Sequence, residues 1–419
     1  MKPKKAAQIV TWLLMVSVVL LVLSYFGVVD KPLALPPDPE KYAQTNLTTS
    51  NSEGSPSGTG VVNDSEELPK NDSEQTDSTG QSPDSEEVQP QPLIFTNNNP
   101  DLITTDGSEL RIWPEESSLP EIGLPQVTGL TQLSPDKPLQ GVVIILDPGH
   151  GGSDIGESWQ GDSEDETLLE KTVNLQISSA IQEELIKQGA EVHMTRATDE
   201  KHSYFYIMAY TADMLLQRYA NDVEQAGYDA QPLESLRLLM QDIIRINSGT
   251  VDSGGRGIFN SIGTPPNLKV IYDIEDYYKD TIFLSIHLES SENSEDKGVR
   301  VRYMSNEYIK DMNNSYAAGT DALTHAPNYN AYDSVQRERF ASLLESNLTA
   351  QDAGMRSNLK AIIEDDLAVL RLNNVTSAQL TCGFLSNAAD RTRLTSAEGQ
   401  GAIARGVANA LLQYYSAAP

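Results

Sequence analysis

Gly141-Val-Val-Ile-Ile-Leu146 runs straight into Asp147-Pro148-Gly149-His150-Gly151-Gly152, and this junction decides the fold. A continuous, largely β-branched apolar run is the pattern of a strand buried on both faces of an α/β sheet, since a half-exposed strand would alternate. Its abrupt end puts a histidine on a glycine-rich turn at the carboxyl edge of a central strand, where α/β proteins collect ligands. Residues 167–188 carry Leu169, Val173, Ile177, Ile181 and Leu185 at four-residue spacing, the apolar stripe of a helix, and Gly189 stops it. Residues 191–194 read as the next strand, and Thr195-Arg196 leads out of it. Thr281-Ile-Phe-Leu-Ser-Ile286 is a second buried strand that delivers His287 at its end. Further strands are expected at 298–304, 367–372 and 378–381, and helices at 333–348 and 401–415.

Two histidines arriving at strand ends, with acids near both, suit a zinc ion: neutral imidazoles and one carboxylate as ligands, with a position left open for water. Spacing alone leaves other readings open. A strand-end histidine is commonly a hydrogen-bonded structural residue. Thr167-x-x-Glu170 is also a capping box, which accounts for the acid without any metal.

Five segments occur in a fixed order: Leu146-Asp-Pro-Gly-His-Gly-Gly-Ser-Asp154, Glu170-Lys171 with Asn174-Leu175, Thr195-Arg196-x-x-Asp199, Leu284-Ser-Ile-His287, and Gly383-Phe-Leu-Ser-Asn387-x-x-Asp390. Together they closely resemble the zinc amidases of the N-acetylmuramoyl-L-alanine amidase type 3 family, over residues 141–415. The resemblance implies a twisted, mostly parallel sheet flanked by helices. It implies Zn2+ as cofactor, with His150, Glu170 and His287 matching the family's three metal ligands, and peptidoglycan as substrate, cleaved between N-acetylmuramoyl and L-alanine. In the family the general base is a Glu two residues before the Gly of the Gly-Phe-x-Ser-Asn segment, and here that position is Thr381.

Threonine cannot act as a base near neutral pH, and removal of a general base typically costs ~10²–10⁴ in rate. Two outcomes follow. Another acid substitutes, and Glu289, two residues beyond His287, would lie on the same side of an extended strand; its plain reading is a solvated loop acid, and Glu364, Asp365 and Asp366 are further candidates. Alternatively the domain is a catalytically impaired, zinc-binding homologue that binds peptidoglycan or regulates a wall enzyme. Asp154 is read as supporting the glycine-rich turn through its amides, and Arg196 and Asp199 as stabilising the loop after their strand. His193, His202 and His325 are read as non-ligands, and Cys382 as a packed residue.

Outside this domain, residues 1–30 are read as a cytoplasmic stub and transmembrane anchor. Residues 9–29 are 21 without a charge, preceded by Lys2, Lys4 and Lys5. That length spans a bilayer core of about 30 Å, and the lysines keep the N-terminus cytoplasmic, which places the amidase-like domain outside the cell membrane. Residues 31–138 are read as an acidic low-complexity linker, with 18 acids against 3 bases between 36 and 125, unable to bury enough apolar surface to order itself. Two apolar patches in it, at 93–96 and 110–113, are candidates for docking on the domain or a partner. The domain itself is placed at 139–417, with an insertion at about 200–280 that contains helices at 206–223 and 233–246 and a glycine- and proline-rich loop at 248–266. The insertion is read as a lid, a docking arm for a regulatory protein, or plain elaboration of the surface. A formal net charge of −30 argues against a nucleic-acid partner. Cys382 is the single cysteine, which rules out an intramolecular disulfide framework.

Overall fold

A computed structural model describes residues 90–93, 119, 122, 136–163, 166–248, 268–309, 311 and 331–416. Strand β1 is Gln91–Pro92, β2 Val143–Pro148, β3 Ser158–Gln160, β4 Thr167–Leu169, β5 Glu191–Met194, β6 Tyr228–Asp229, β7 Thr281–Glu289, β8 Arg300–Tyr303, β9 Ile362–Glu364 and β10 Thr376–Phe384. The helices are α1 Glu170–Lys187, α2 Tyr204–Gln225, α3 Gln231–Asn247, α4 Lys269–Tyr277, α5 Ser334–Gln351, α6 Ala368–Arg371, α7 Ala388–Thr395 and α8 Ala397–Ser416.

Six strands form the central sheet in the order β5-β2-β7-β10-β8-β9. Every neighbouring pair is parallel except β10 with β8. The mostly parallel sheet expected from the buried runs is therefore present, with one antiparallel step. All six residues of β2 are buried, as its unbroken apolar pattern requires.

Alternation along the strands divides the core in two. Ile144 and Leu146 of β2 and Ile282, Leu284 and Ile286 of β7 pack into one cluster with Val173, Ile177, Ile181 and Leu185 of α1, Phe340 and Leu344 of α5, and Ile403 and Val407 of α8. Ile145 and Phe283 point the other way, into a cluster built by α2, α3 and α4. Truncating a buried ring such as Phe283 would cost about 3–5 kcal/mol. The stretch expected as an insertion is thus the second covering layer of the sheet, and α2 and α4 belong to the core. Its loop at 249–266 lies outside the described residues.

Three local expectations are corrected. The helix expected from 167 begins at Glu170, because Thr167–Leu169 pairs with Ser158–Gln160 as a short antiparallel hairpin. Residues 367–372, expected as a strand, form the single helical turn α6, capped by an extended Leu367; a short apolar run does not distinguish strand from helix. Residues 91–93 do not behave as free linker: Gln91–Pro92 pairs in parallel with β6, and Leu93 is buried in the second cluster together with Ile122. The docking expected of the first apolar patch is seen at Leu93, and the second patch, 110–113, lies outside the described residues. So does the anchor expected at 9–29. Among the described residues no helix is long and apolar enough to cross a membrane.

Candidate metal centre

Strand β2 ends in the turn that carries His150, whose φ is 64°. It is the one non-glycine residue with positive φ among those described. Such a backbone costs an L-residue of order 1–3 kcal/mol and persists only where the surroundings impose it. They do so here. Gly149 N donates to Ile286 O at 2.9 Å, tying the turn to β7. Arg196, 3 % exposed, donates to the carbonyls of Pro148 (2.7 Å), Gly149 (2.9 Å), Lys171 (2.8 Å) and Thr198 (3.1 Å). Asp199 accepts from Gly152 N at 2.8 Å and from Lys171 Nζ at 2.7 Å. Arg196 and Asp199 therefore brace the glycine-rich turn itself, not only the loop that follows their own strand. Gly149 must be glycine, since a Cβ there would stand 2.2 Å from the His287 ring.

Glu170 opens α1 without acting as a cap, which removes the capping-box reading: the N-cap is Leu169, with no side-chain cap bond. The Glu170 carboxylate is 1 % exposed and turned into the site. Its Oε2 accepts from Glu157 N (2.7 Å) and lies 3.2 Å from His150 Nε2. Its Oε1 accepts from Leu288 N (2.9 Å) and from Asn174 Nδ2 (3.3 Å), and lies 3.1 Å from His287 Nδ1. Burial works against its charge, but hydrogen bonds and charge from His150 and His287 prevail and hold it well below the usual carboxylate range. Burial likewise opposes the charged His150, and the Glu170 and Asp154 carboxylates override it, pushing the imidazole up to about 9.

The three expected ligands are brought together. His150, Glu170 and His287 each offer one ligand atom, and these atoms all lie within 4.8 Å of one another, a group that could hold a metal ion. The two rings meet edge to face with centroids 5.0 Å apart. His287 lies inside β7, two residues before its end, with its Cα paired to that of Thr381. Asp154 does more than support the turn: Oδ1 lies 3.0 Å from His150 Nδ1 while also accepting from Gly156 N at 3.3 Å.

Beside the triad, Glu289 is no solvated loop acid. It is the last residue of β7, and its carboxylate takes Arg300 Nη1 at 2.6 Å, Arg302 Nη2, and the Thr381 hydroxyl at 3.2 Å. Arg302 Nη1 donates to Thr381 Oγ1 at 3.0 Å. The other candidate acids stand apart: Glu364 accepts from Ser305, Asp365 pairs with Arg302 Nε at 3.2 Å, and Asp366 pairs with Arg371. Cys382 is buried, and its thiol is pushed far up by burial and by the Glu170 charge, as a packed residue should be. His193 contacts Glu191, and His202 lies against the Thr195 carbonyl, so neither joins the triad. His325 lies outside the described residues. The sequence reading missed Arg300 and Arg302, although their i, i+2 spacing on an expected strand puts both on one face.

The sequence profile of the type 3 N-acetylmuramoyl-L-alanine amidase family matches residues 144–229 and 256–413, more than half of the chain. The chain belongs to this family. The residues passed over, 230–255, contain α3. The probable cell wall amidase LytH of Staphylococcus epidermidis is 46 % identical over 63 residues, 15 % of this chain and 21 % of that protein. The chain thus spans about a fifth of the length of the curated relatives it matches. Among solved structures, the N-acetylmuramoyl-L-alanine amidase of Clostridium difficile 630 matches with a TM-score of 0.38 and 18 % identity, covering 65 % of this chain and 96 % of that one. Ami1 of Mycobacterium smegmatis matches with a TM-score of 0.39 and 15 % identity, covering 66 % and 98 %.

Proposed function

We propose that this protein is a peptidoglycan hydrolase that cleaves the amide between N-acetylmuramoyl and L-alanine, with a zinc ion held by His150, Glu170 and His287. The observation that carries the reading is the convergence of these three side chains, from separate elements, in a chain that belongs to the amidase family. The donor set fits the ion, because two imidazoles and a carboxylate are ligands zinc takes readily. Asp154 on Nδ1 of His150 turns Nε2 inward, the kind of outer partner that orients metal-binding histidines. When bound, zinc supplies Lewis acidity, which polarises the scissile carbonyl and makes water a competent nucleophile near neutral pH.

The chain's own residues handle the proton. Glu289 takes one proton from the attacking water and passes it to the alanine nitrogen as the C–N bond breaks, which leaves a free peptide amine and a muramoyl lactyl acid that releases the second water proton to solvent. Position supports this role: Glu289 shares a strand face with His287, and Thr381, in the place of the family's Glu, donates its hydroxyl to it. The competing reading, an impaired homologue that binds peptidoglycan or regulates a wall enzyme, draws on Thr381 and on the arginines that occupy both Glu289 oxygens. The apolar residues 9–29 and the lysines before them support a membrane-anchored domain working outside the cell membrane.

Release of L-alanine-linked stem peptides from purified peptidoglycan, by the zinc-loaded protein, tests the reading. Turnover is expected, with Glu289→Gln losing about 10²–10⁴-fold in rate. An inert wild type that gains activity as Thr381→Glu would put the impaired homologue in place of the hydrolase.

A further inference from the structure

Two arginines on β8, in contact with Thr381 and Glu289, need a reason in a chain of formal net charge −30. Arg300 and Arg302 alternate on β8 and so share one face. The register sets Arg300 opposite Thr381 and Thr381 opposite His287, a row across three neighbouring strands. Two strand spacings put the Arg300 backbone about 10 Å from that of His287.

The two guanidinium groups are not equally engaged. Arg302 uses all three nitrogens, Nε on Asp365, Nη1 on Thr381 and Nη2 on Glu289. Arg300 places Nε on the Lys360 carbonyl at 3.2 Å and Nη1 on Glu289 at 2.6 Å, while Nη2 has no partner among the described residues and the side chain keeps 20 % exposure. Glu289 and the Lys360 carbonyl thus fix the plane of a guanidinium that retains a free amino group, an arrangement suited to one more carboxylate.

The scissile amide must lie at the His287 end of this row, and an extended peptide advances about 3.3–3.6 Å per residue. A peptide that runs from His287 along this row would bring an acidic group on the residue after L-alanine within reach of the Arg300 side chain. We infer that Arg300 binds a free carboxylate on the peptide side of the scissile bond, so that the site selects stem peptides whose second residue bears a free acid over those in which that acid is amidated. This inference rests on the amidase reading. A free acid meets the guanidinium as an ion pair, whereas the amide offers the same cation only a neutral oxygen, and we expect this difference in acceptor charge to give a preference of about tenfold.

Calorimetric titration of the full-length, zinc-loaded protein with L-alanyl-D-isoglutamate and with L-alanyl-D-isoglutamine, which lack the scissile bond, tests it. The acid is expected to bind about tenfold more tightly; Arg300→Gln brings the acid down to the level of the amidated ligand, and Arg300→Lys keeps part of the preference. Equal binding of the two ligands by the wild type, or a preference that survives Arg300→Gln, overturns the inference. Failure of the wild type to bind either ligand overturns it too, and release of stem peptides from intact peptidoglycan by the same preparation then shows whether the amidase reading stands without it.

Discussion

His150 is held in a left-handed backbone conformation by bonds that come from far along the chain, and the energy stored there goes into aiming one ring. Arg196 supplies the backbone clamp, and Asp154 fixes the ring nitrogen that faces away from Glu170. Asp154→Ala should leave the fold intact and lower zinc affinity by about 10–100-fold, measured by competition with a chromogenic chelator; an unchanged affinity would remove the orienting role. At this scale much of the site was legible. The two histidines announce themselves by standing after buried apolar runs, and Glu170 by the motif it shares with the amidases. Asp154 was legible only in part, because its hydrogen bond to the neighbouring amide follows from local turn chemistry while its contact with the His150 ring depends on the unusual φ. The spacing offers Glu289 as a substitute base on the side of His287, with a solvated loop acid as its plain reading, and only its pairing with Arg300 and Arg302 shows it to be engaged.

Among the elements, β7 contributes most to the site: it supplies His287 and Glu289 on one face and the Leu288 amide that steadies Glu170. At the other end of its neighbour β10, α4 buries Glu275, 2 % exposed, whose Oε2 accepts from Asn374 N. Burial pushes this carboxyl up to about 8 against an ordinary value of 4.5, with the Asn374 amide and the Arg337 charge pulling the other way. The folded chain keeps a proton that the unfolded chain releases. The stability this contributes is complete below about 4.5, is lost as pH rises from there towards 8, and changes no further above that. Glu275→Gln cannot ionise, so its stability relative to wild type should rise between pH 5 and 8 by an amount on the order of a few kcal/mol, read by urea unfolding at several pH values. Parallel pH profiles for the two proteins would show that Glu275 does not titrate in this window. The strands that carry the site were legible from their apolar runs, whereas α6 was not, since a single turn packed between larger elements leaves no period to read.

For the whole molecule, the second layer matters beyond covering the sheet, because chain upstream of the domain completes it. Leu93 and Ile122 are buried in the cluster of α2, α3 and α4, and Leu119 packs against it. A fragment beginning at Glu86 should therefore be more stable than one beginning at Asp136. Burial of a leucine or isoleucine is worth about 1.5–3 kcal/mol, so the shorter fragment should lose a few kcal/mol and unfold at lower urea concentration. Equal midpoints would mean that these residues dock without contributing. The sequence by itself determined the buried strands, the histidine-bearing ends, the stripe of α1, the acidic balance and the family, because each is written in local period, composition or a contiguous motif. Only the tertiary structure decided that Arg196 clamps a turn 47 residues away, that Arg300 stands in a row with Thr381 and His287, and that Leu93 belongs to the core. Those facts depend on strand register and on contacts between distant segments, which no stretch of neighbouring residues encodes.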